Sequence, residues 1–181
     1  MAGHPQHAHE DGLTLPELLA TLTVVLIIAV GMADFLPRFL QESRMITAVN
    51  GFVSALHLAR SEAIKQGRQV VLCPSRDRLN CGNSQDWRGG WLLFASDNRE
   101  REPHEPLLQV GPPSGRGILM QSGNHRKRIV YQPDGSSGGS NSSFTFCGQN
   151  RRAAPRVVCL SMTGRPRLSR TRCDGKPVVC P

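Results

Sequence analysis

Three things are scarce in these 181 residues: aromatic side chains, at 5%; acidic groups, 14 against 22 Lys and Arg; and any Lys or Arg ahead of position 38. Few aromatics beside 18 Gly and 13 Pro argue against a helical bundle and for a turn-rich β domain. The lack of a basic start argues against an ordinary secretory signal peptide, for which Ala29-Val30-Gly31 would be the small-residue cleavage site. No C-x-x-C pair occurs and the six His do not gather beside the cysteines, so the usual metal-ligand spacings are missing. Nucleophile-elbow, Walker and dinucleotide-binding motifs are missing too, and no paired carboxylates or Cys–base arrangement emerges. Ser136 and Ser137 sit in a low-complexity stretch. The expectation is a protein that is not an enzyme and needs no cofactor or metal.

What is present begins with an even set of cysteines, Cys73, Cys81, Cys147, Cys159, Cys173 and Cys180. An even count without metal spacing reads as three disulfides, which form in an oxidising compartment such as the periplasm or cell surface. Six cysteines allow 15 pairings. The sequence-local set Cys73–Cys81, Cys147–Cys159 and Cys173–Cys180 is expected, because each closes a short loop containing turn residues.

From Leu13 to Leu36 the chain runs 24 residues with only Glu17 and Asp34 charged, enough to span a bilayer. A carboxylate inside such a run is costly and marks either a paired, functional group or a side chain reaching for the membrane edge. Pro16 and Glu17 in a first turn, with Thr14 as N-cap, are what a helix start looks like. The stretch Gly12-Leu13-Thr14-Leu15-Pro16-Glu17-Leu18 resembles the prepilin signature of type IV pilins and type II secretion pseudopilins. The resemblance implies cleavage between Gly12 and Leu13 by a prepilin peptidase, N-methylation of Leu13, and a 1–12 leader that is removed. It also implies that Glu17 neutralises the terminal amine of a neighbouring subunit in the filament.

Beyond the apolar run, Met45, Val49, Phe52, Leu56, Ala59 and Ala63 recur at helical spacing. Arg44, Asn50, Ser54, His57, Ser61 and Lys65 lie on other faces, and Gln66-Gly67 offers a C-cap. A rod from Leu13 to Gln66, 54 residues and roughly 80 Å long, kinked at Pro37, is expected. Its first half would sit in the membrane or filament core, its second against a sheet. Residues 67–181 break into β-rich runs: Arg68–Cys73, Gly90–Ala95, Pro106–Val110, Ile118–Gln121, Ile129–Tyr131, Ser143–Cys147 and Arg156–Met162. Asp134–Ser142, rich in Gly and Ser, reads as flexible. Trp87 and Trp91 read as core aromatics rather than a ligand platform. The segments Leu58–Ile64, Arg68–Cys73 and Gly90–Asn98, with Trp87, resemble the helix-to-strand passage of the GspH/FimT family. The fold class is α+β and pilin-like: a long N-terminal helix on an antiparallel sheet domain.

Charge is concentrated late in the chain. Between Gly148 and Pro181, Arg151, Arg152, Arg156, Arg165, Arg167, Arg170, Arg172 and Lys176 face Asp174 alone. Arg126-Lys127-Arg128 is a second, smaller run. Clustered arginines suit phosphate, through bidentate hydrogen bonds and counterion release. Gly164-Arg165-Pro166-Arg167 resembles the GRxR motif of FimT-type minor pilins, which implies non-specific DNA binding for uptake in transformation. Arg165 and Arg167 would make the contacts, Arg170 and Arg172 would support them, and Gly164 would turn the chain. The competing readings are a solvated basic surface on a FimU-like subunit that primes pilus assembly, and a minor pseudopilin of type II secretion. Either way the expected setting is the inner membrane, single-pass, with a periplasmic C-terminal domain that reaches the cell surface after assembly. Partners would be other major and minor pilins.

Overall fold

The structure is a computed structural model that describes residues 14–32, 35–96, 103, 106–123, 126–149 and 153–180. The chain divides into two compact units, residues 1–37 and 38–181. The first holds α1, Leu15–Met32, an 18-residue helix with no buried side chain. The expected rod takes the form of two helical spans, α1 and α2 (Phe35–Gln66), on either side of residues 33–34, which lie outside the described residues. Pro37, expected as a kink that does not end the helix, lies within α2, which continues beyond it to Gln66. Gly67 ends α2 at φ +63°, a left-handed C-cap that only glycine adopts freely.

Eight strands form two antiparallel four-stranded sheets. Sheet A has the order β3-β2-β1-β5, from Leu107–Gly111, Trp91–Ser96, Gln69–Pro74 and Ile129–Tyr131. Sheet B has the order β4-β6-β7-β8, from Ile118–Ser122, Ser142–Gly148, Arg156–Leu160 and Pro166–Ser169. The last strand, β8, is not among the β-rich runs visible in the sequence. Proline at its start and two arginines around it hide the apolar alternation by which strands are found.

One helix face joins these sheets. Met45, Val49, Phe52, Leu56, Ala59 and Ala63, with Ala55, are buried at 0–1% exposure and form one core with Val70, Leu72, Leu93, Tyr131, Phe144, Phe146 and Val158. Phe52 is its hub: its ring centroid lies 4.8 Å from Phe144, 5.8 Å from Trp87 and 5.9 Å from Phe146. Trp87 and Trp91 are core residues, as expected. At the start of the stripe Gln41 donates through Nε2 to the carbonyls of Gly117 and Gln149, each at 3.0 Å, and Glu42 pairs with Arg156 of β7. A second apolar cluster, Val71, Cys73, Leu92, Phe94 and Val130, covers the other face of sheet A.

The link between β1 and β2 is organised by two carboxylates. Asp77 accepts the N–H groups of Leu79 and Asn80, which hold its carboxyl well below the usual range. Asp86, bound first by Arg88 and also by Arg76, is lowered to about 2. Residues 85–87 then run along the free edge of β4, with Trp87 N–H on the Met120 carbonyl at 3.0 Å and Ser122 N–H on the Gln85 carbonyl at 3.0 Å.

The loop after β5, expected to be flexible, is pinned. Ser137 is fully buried, its amide donates to the Met162 carbonyl and its hydroxyl to the Ser161 carbonyl. Small residues here permit close packing against the neighbouring turn rather than mobility. Because Phe52 touches three other rings, Phe52→Ala should lower stability by about 3–5 kcal/mol, measured by denaturant unfolding of the full chain in nonionic detergent with Trp fluorescence as readout. A loss below about 1 kcal/mol would show that this cluster does not organise the core.

Candidate functional site

Two features carry chemistry, and they belong to different units. The first is α1. It is long and apolar enough to cross a membrane, about 27 Å by helical rise, and every side chain in it is exposed. Its polar hydroxyls are satisfied internally: Thr21 donates to the Leu18 carbonyl at 2.9 Å and Thr23 to the Ala20 carbonyl at 2.8 Å, as a low-dielectric surrounding requires. Thr14 accepts the Leu18 N–H at 3.1 Å, which makes it the first hydrogen-bonded carbonyl of the helix. Glu17 is thereby in the first turn, exposed, where the helix dipole favours negative charge. Gly12 and Leu13 lie outside the described residues.

The second feature is the basic region. Gly164, Arg165 and Arg167 fall on the hairpin that joins β7 to β8, the edge strand of sheet B. Gly164 is buried at φ +75°, and a Cβ there would meet the Gly135 carbonyl oxygen at 2.1 Å. Tyr131 donates its hydroxyl to the Gly164 carbonyl at 3.3 Å, and Arg60 of α2 donates to the Gly135 carbonyl at 3.1 Å. Burial pushes the Tyr131 phenol above its ordinary pKa, against a smaller opposing influence of the Arg60 charge. The turn is thus locked to the core through Gly135, Tyr131 and α2. Arg165 and Arg167, two apart on extended chain, project together, and with Arg170 they have no ion pair among the described residues. Arg172 lies 3.5 Å from Asp174. Arg126-Lys127-Arg128 instead leads into β5 of sheet A, and Arg151 and Arg152 lie outside the described residues.

All six cysteines are bridged, but two of the three expected pairs are wrong. Cys73–Cys81 forms as expected; the others are Cys147–Cys180 and Cys159–Cys173. The β6–β7 register explains this: Cys159 faces Ser143, so Cys147 lies four residues further along, about 14 Å away at strand rise. A disulfide needs Cα atoms within about 7 Å. Cys147 and Cys159 therefore each bind the C-terminal segment instead, a pairing set by strand register and invisible in linear spacing.

A third feature is a groove of about 310 Å3 on the flank of α2, lined by Phe52, Trp87, Trp91 and Met120, with Arg44 its one ionisable side chain. It offers no acid–base pair. No group of three or more potential metal ligands occurs among the described residues.

The family model described as type II transport protein GspH matches residues 48–164, most of α2 and all of both sheets except β8. The chain belongs to the GspH family. Membership makes it a non-catalytic, pilin-like protein. Its own α1, apolar and near the N-terminus, and its separate globular unit are consistent with the topology of a membrane-anchored pilin. Two crystal forms of the type IV minor pilin FimU from Pseudomonas aeruginosa strain PAO1 share the fold. One aligns at TM-score 0.58 and 18% identity over 72% of this chain and 92% of FimU, the other at 0.53 and 19% over 68% and 90%. No curated protein matches the chain. The GspH match stops at Gly164, one residue before Arg165, so the basic edge is not what carries the family assignment.

Gly164→Ala combines a disfavoured backbone with a backbone clash and should lower stability by about 2–4 kcal/mol. Denaturant titration checks this; an unchanged midpoint would show that the turn can relax away from Gly135.

Proposed function

We propose that this GspH-family chain is a minor pilin of the type IV pilus class, a structural subunit that helps prime filament assembly with other major and minor pilins. The observation that carries the reading is the pairing of a GspH domain with a wholly exposed apolar helix bearing a carboxylate in its first turn. In this reading α1 holds the chain in the inner membrane, a prepilin peptidase cuts after Gly12, and Leu13 becomes the N-methylated terminus. Glu17 then meets a neighbouring terminal amine as the helix enters the filament. Two opposite charges removed from water together cost far less than either alone. That makes the contact selective for correct axial register.

The mature chain should begin at Leu13 by mass spectrometry, and Glu17→Ala should stay in the membrane fraction but drop at least tenfold in sheared filaments. Equal recovery of the variant in filaments would sink the assembly role. Recovery with secretion pseudopilins rather than pilins would move the same chemistry to a type II secretion filament.

A second reading, DNA capture for uptake, is favoured by one specific observation: Arg165, Arg167 and Arg170 are exposed and have no acidic partner among the described residues. Phosphate contacts of this kind give weak, sequence-independent and salt-dependent affinity. The full chain in nonionic detergent should bind duplex DNA in a salt-sensitive way, and Arg165→Gln with Arg167→Gln should weaken it at least tenfold. If the native chain shows no salt-sensitive binding, the arginines are a solvated surface of a purely structural subunit.

A further inference from the structure

We infer that the C-terminal segment, residues 171–180, is a covalently clasped strap that positions its own cations beside those of β8, making one polyanion-binding surface. This rests on the DNA-capture reading and adds to it the element that builds the site. The outer face of sheet B is identified by alternation. Phe144, Phe146, Val158 and Leu160 point into the core, so Thr145, Cys147, Val157 and Cys159 point the other way. The segment is tied to that outer face at two places, Cys173 to Cys159 on β7 and Cys180 to Cys147 on β6. Six residues lie between the anchors along the chain, and the anchors are about 14 Å apart along the strands, so the strap crosses the face diagonally with slack. Val157, on that face, is fully buried.

Cys159 pairs in register with Arg167, and directly paired residues share a sheet face. Arg167 is therefore on the strap side, and Arg165, closing the hairpin against Ser161, is on it as well. Arg172, next to Cys173, is held near Cys159 by that bridge, and Arg170 lies between it and the end of β8. Of these four arginines, Arg172 alone has an acidic neighbour among the described residues, Asp174. The strap's own hydrogen bonds are local: Arg172 N–H to the Lys176 carbonyl at 2.9 Å, Gly175 N–H to the Arg172 carbonyl at 2.9 Å, and contacts to Ser169 and Asp174. Thr171 is held to Ser169 at the end of β8, and beyond Thr171 no hydrogen bond among the described residues ties the segment to the sheet, so its course from there depends on the two bridges. A free tail with the same cations would have to be ordered on binding, at an entropic cost that the clasp removes in advance.

The test is duplex DNA affinity of the full-length oxidised chain in nonionic detergent as a function of salt. With the bridges intact, Arg170→Gln with Arg172→Gln should lower the slope of log K against log salt by about 2, at about 0.9 per phosphate contact. Arg170→Lys with Arg172→Lys should keep the slope. Replacing Cys147, Cys159, Cys173 and Cys180 by Ser should weaken binding about tenfold while the near-ultraviolet circular dichroism of the core is kept. An unchanged slope in the glutamine pair overturns the proposal, as does unchanged affinity in a folded cysteine variant. Should the cysteine variant not fold, the slope of the glutamine pair decides alone. Absence of salt-sensitive binding by the native chain fails the underlying DNA reading, and is recognised before any variant is compared.

Discussion

One helix face seals two sheets, and the globular unit depends on that burial. Sheet A and sheet B each have an apolar inner face, and no second helix is available among the described residues of this unit to cover either. The stripe from Met45 to Ala63 meets both, and its small members, Ala55, Ala59 and Ala63, let strands approach the helix axis while Phe52 fills the space near β6. Glu42 with Arg156 and Gln41 with two loop carbonyls then fix where along the helix the strands sit. Burial provides the energy and these polar contacts provide the register.

The outer faces are covered differently. Among the described residues neither has a helix, and both use short segments anchored by disulfides: the Cys73–Cys81 loop at the outer cluster of sheet A, and the strap with two bridges on sheet B. A ten-residue segment such as 171–180, with few apolar groups, buries too little to hold itself in place, and the Cys159–Cys173 bridge, with a sequence separation of 14, is worth about 3 kcal/mol in the chain-entropy model. The exposed edges are handled without covalent help. Residues 85–87 cover β4, while at β8 the hydrogen-bonded Ser161–Arg165 pair sets an alternation in which Pro166 faces outward. Its missing N–H falls where a neighbouring chain would otherwise pair, which discourages sheet extension.

The sequence disclosed the features that are periodic or local. Seven of the eight strands could be read because each alternates or runs apolar between Gly and Pro punctuation, and the helical stripe because 3.6-residue spacing repeats across five turns. Cys73–Cys81 was legible because it is a loop closure within one connection. The other two bridges were not, since they follow from the β6–β7 register, a long-range property. The loop at Asp134–Ser142 misled for a related reason: glycine and serine there serve close packing against the Gly164 turn, and composition alone does not distinguish packing from mobility.

The Gly-Arg-Pro-Arg unit changes meaning once each residue is placed. Its glycine is required by the left-handed turn and by the approach of Gly135 to 2.1 Å of a would-be Cβ, an intramolecular demand that any ligand-free subunit would share. Its proline is explained by the open edge of β8. Neither speaks for a phosphate partner, although both fix the backbone that presents the arginines. What packing leaves unexplained is Arg165 and Arg167 themselves: exposed, without acidic partners among the described residues, and beyond the last residue of the GspH match. Surface cations without partners commonly keep a protein soluble. Here, though, Tyr131, Gly135, Arg60 and the Cys159–Cys173 bridge hold their immediate surroundings rigid, and solubility does not require a rigid cation. Rigidity matters only to a partner that reads spacing, such as a phosphate chain or an acidic surface on a neighbouring filament subunit.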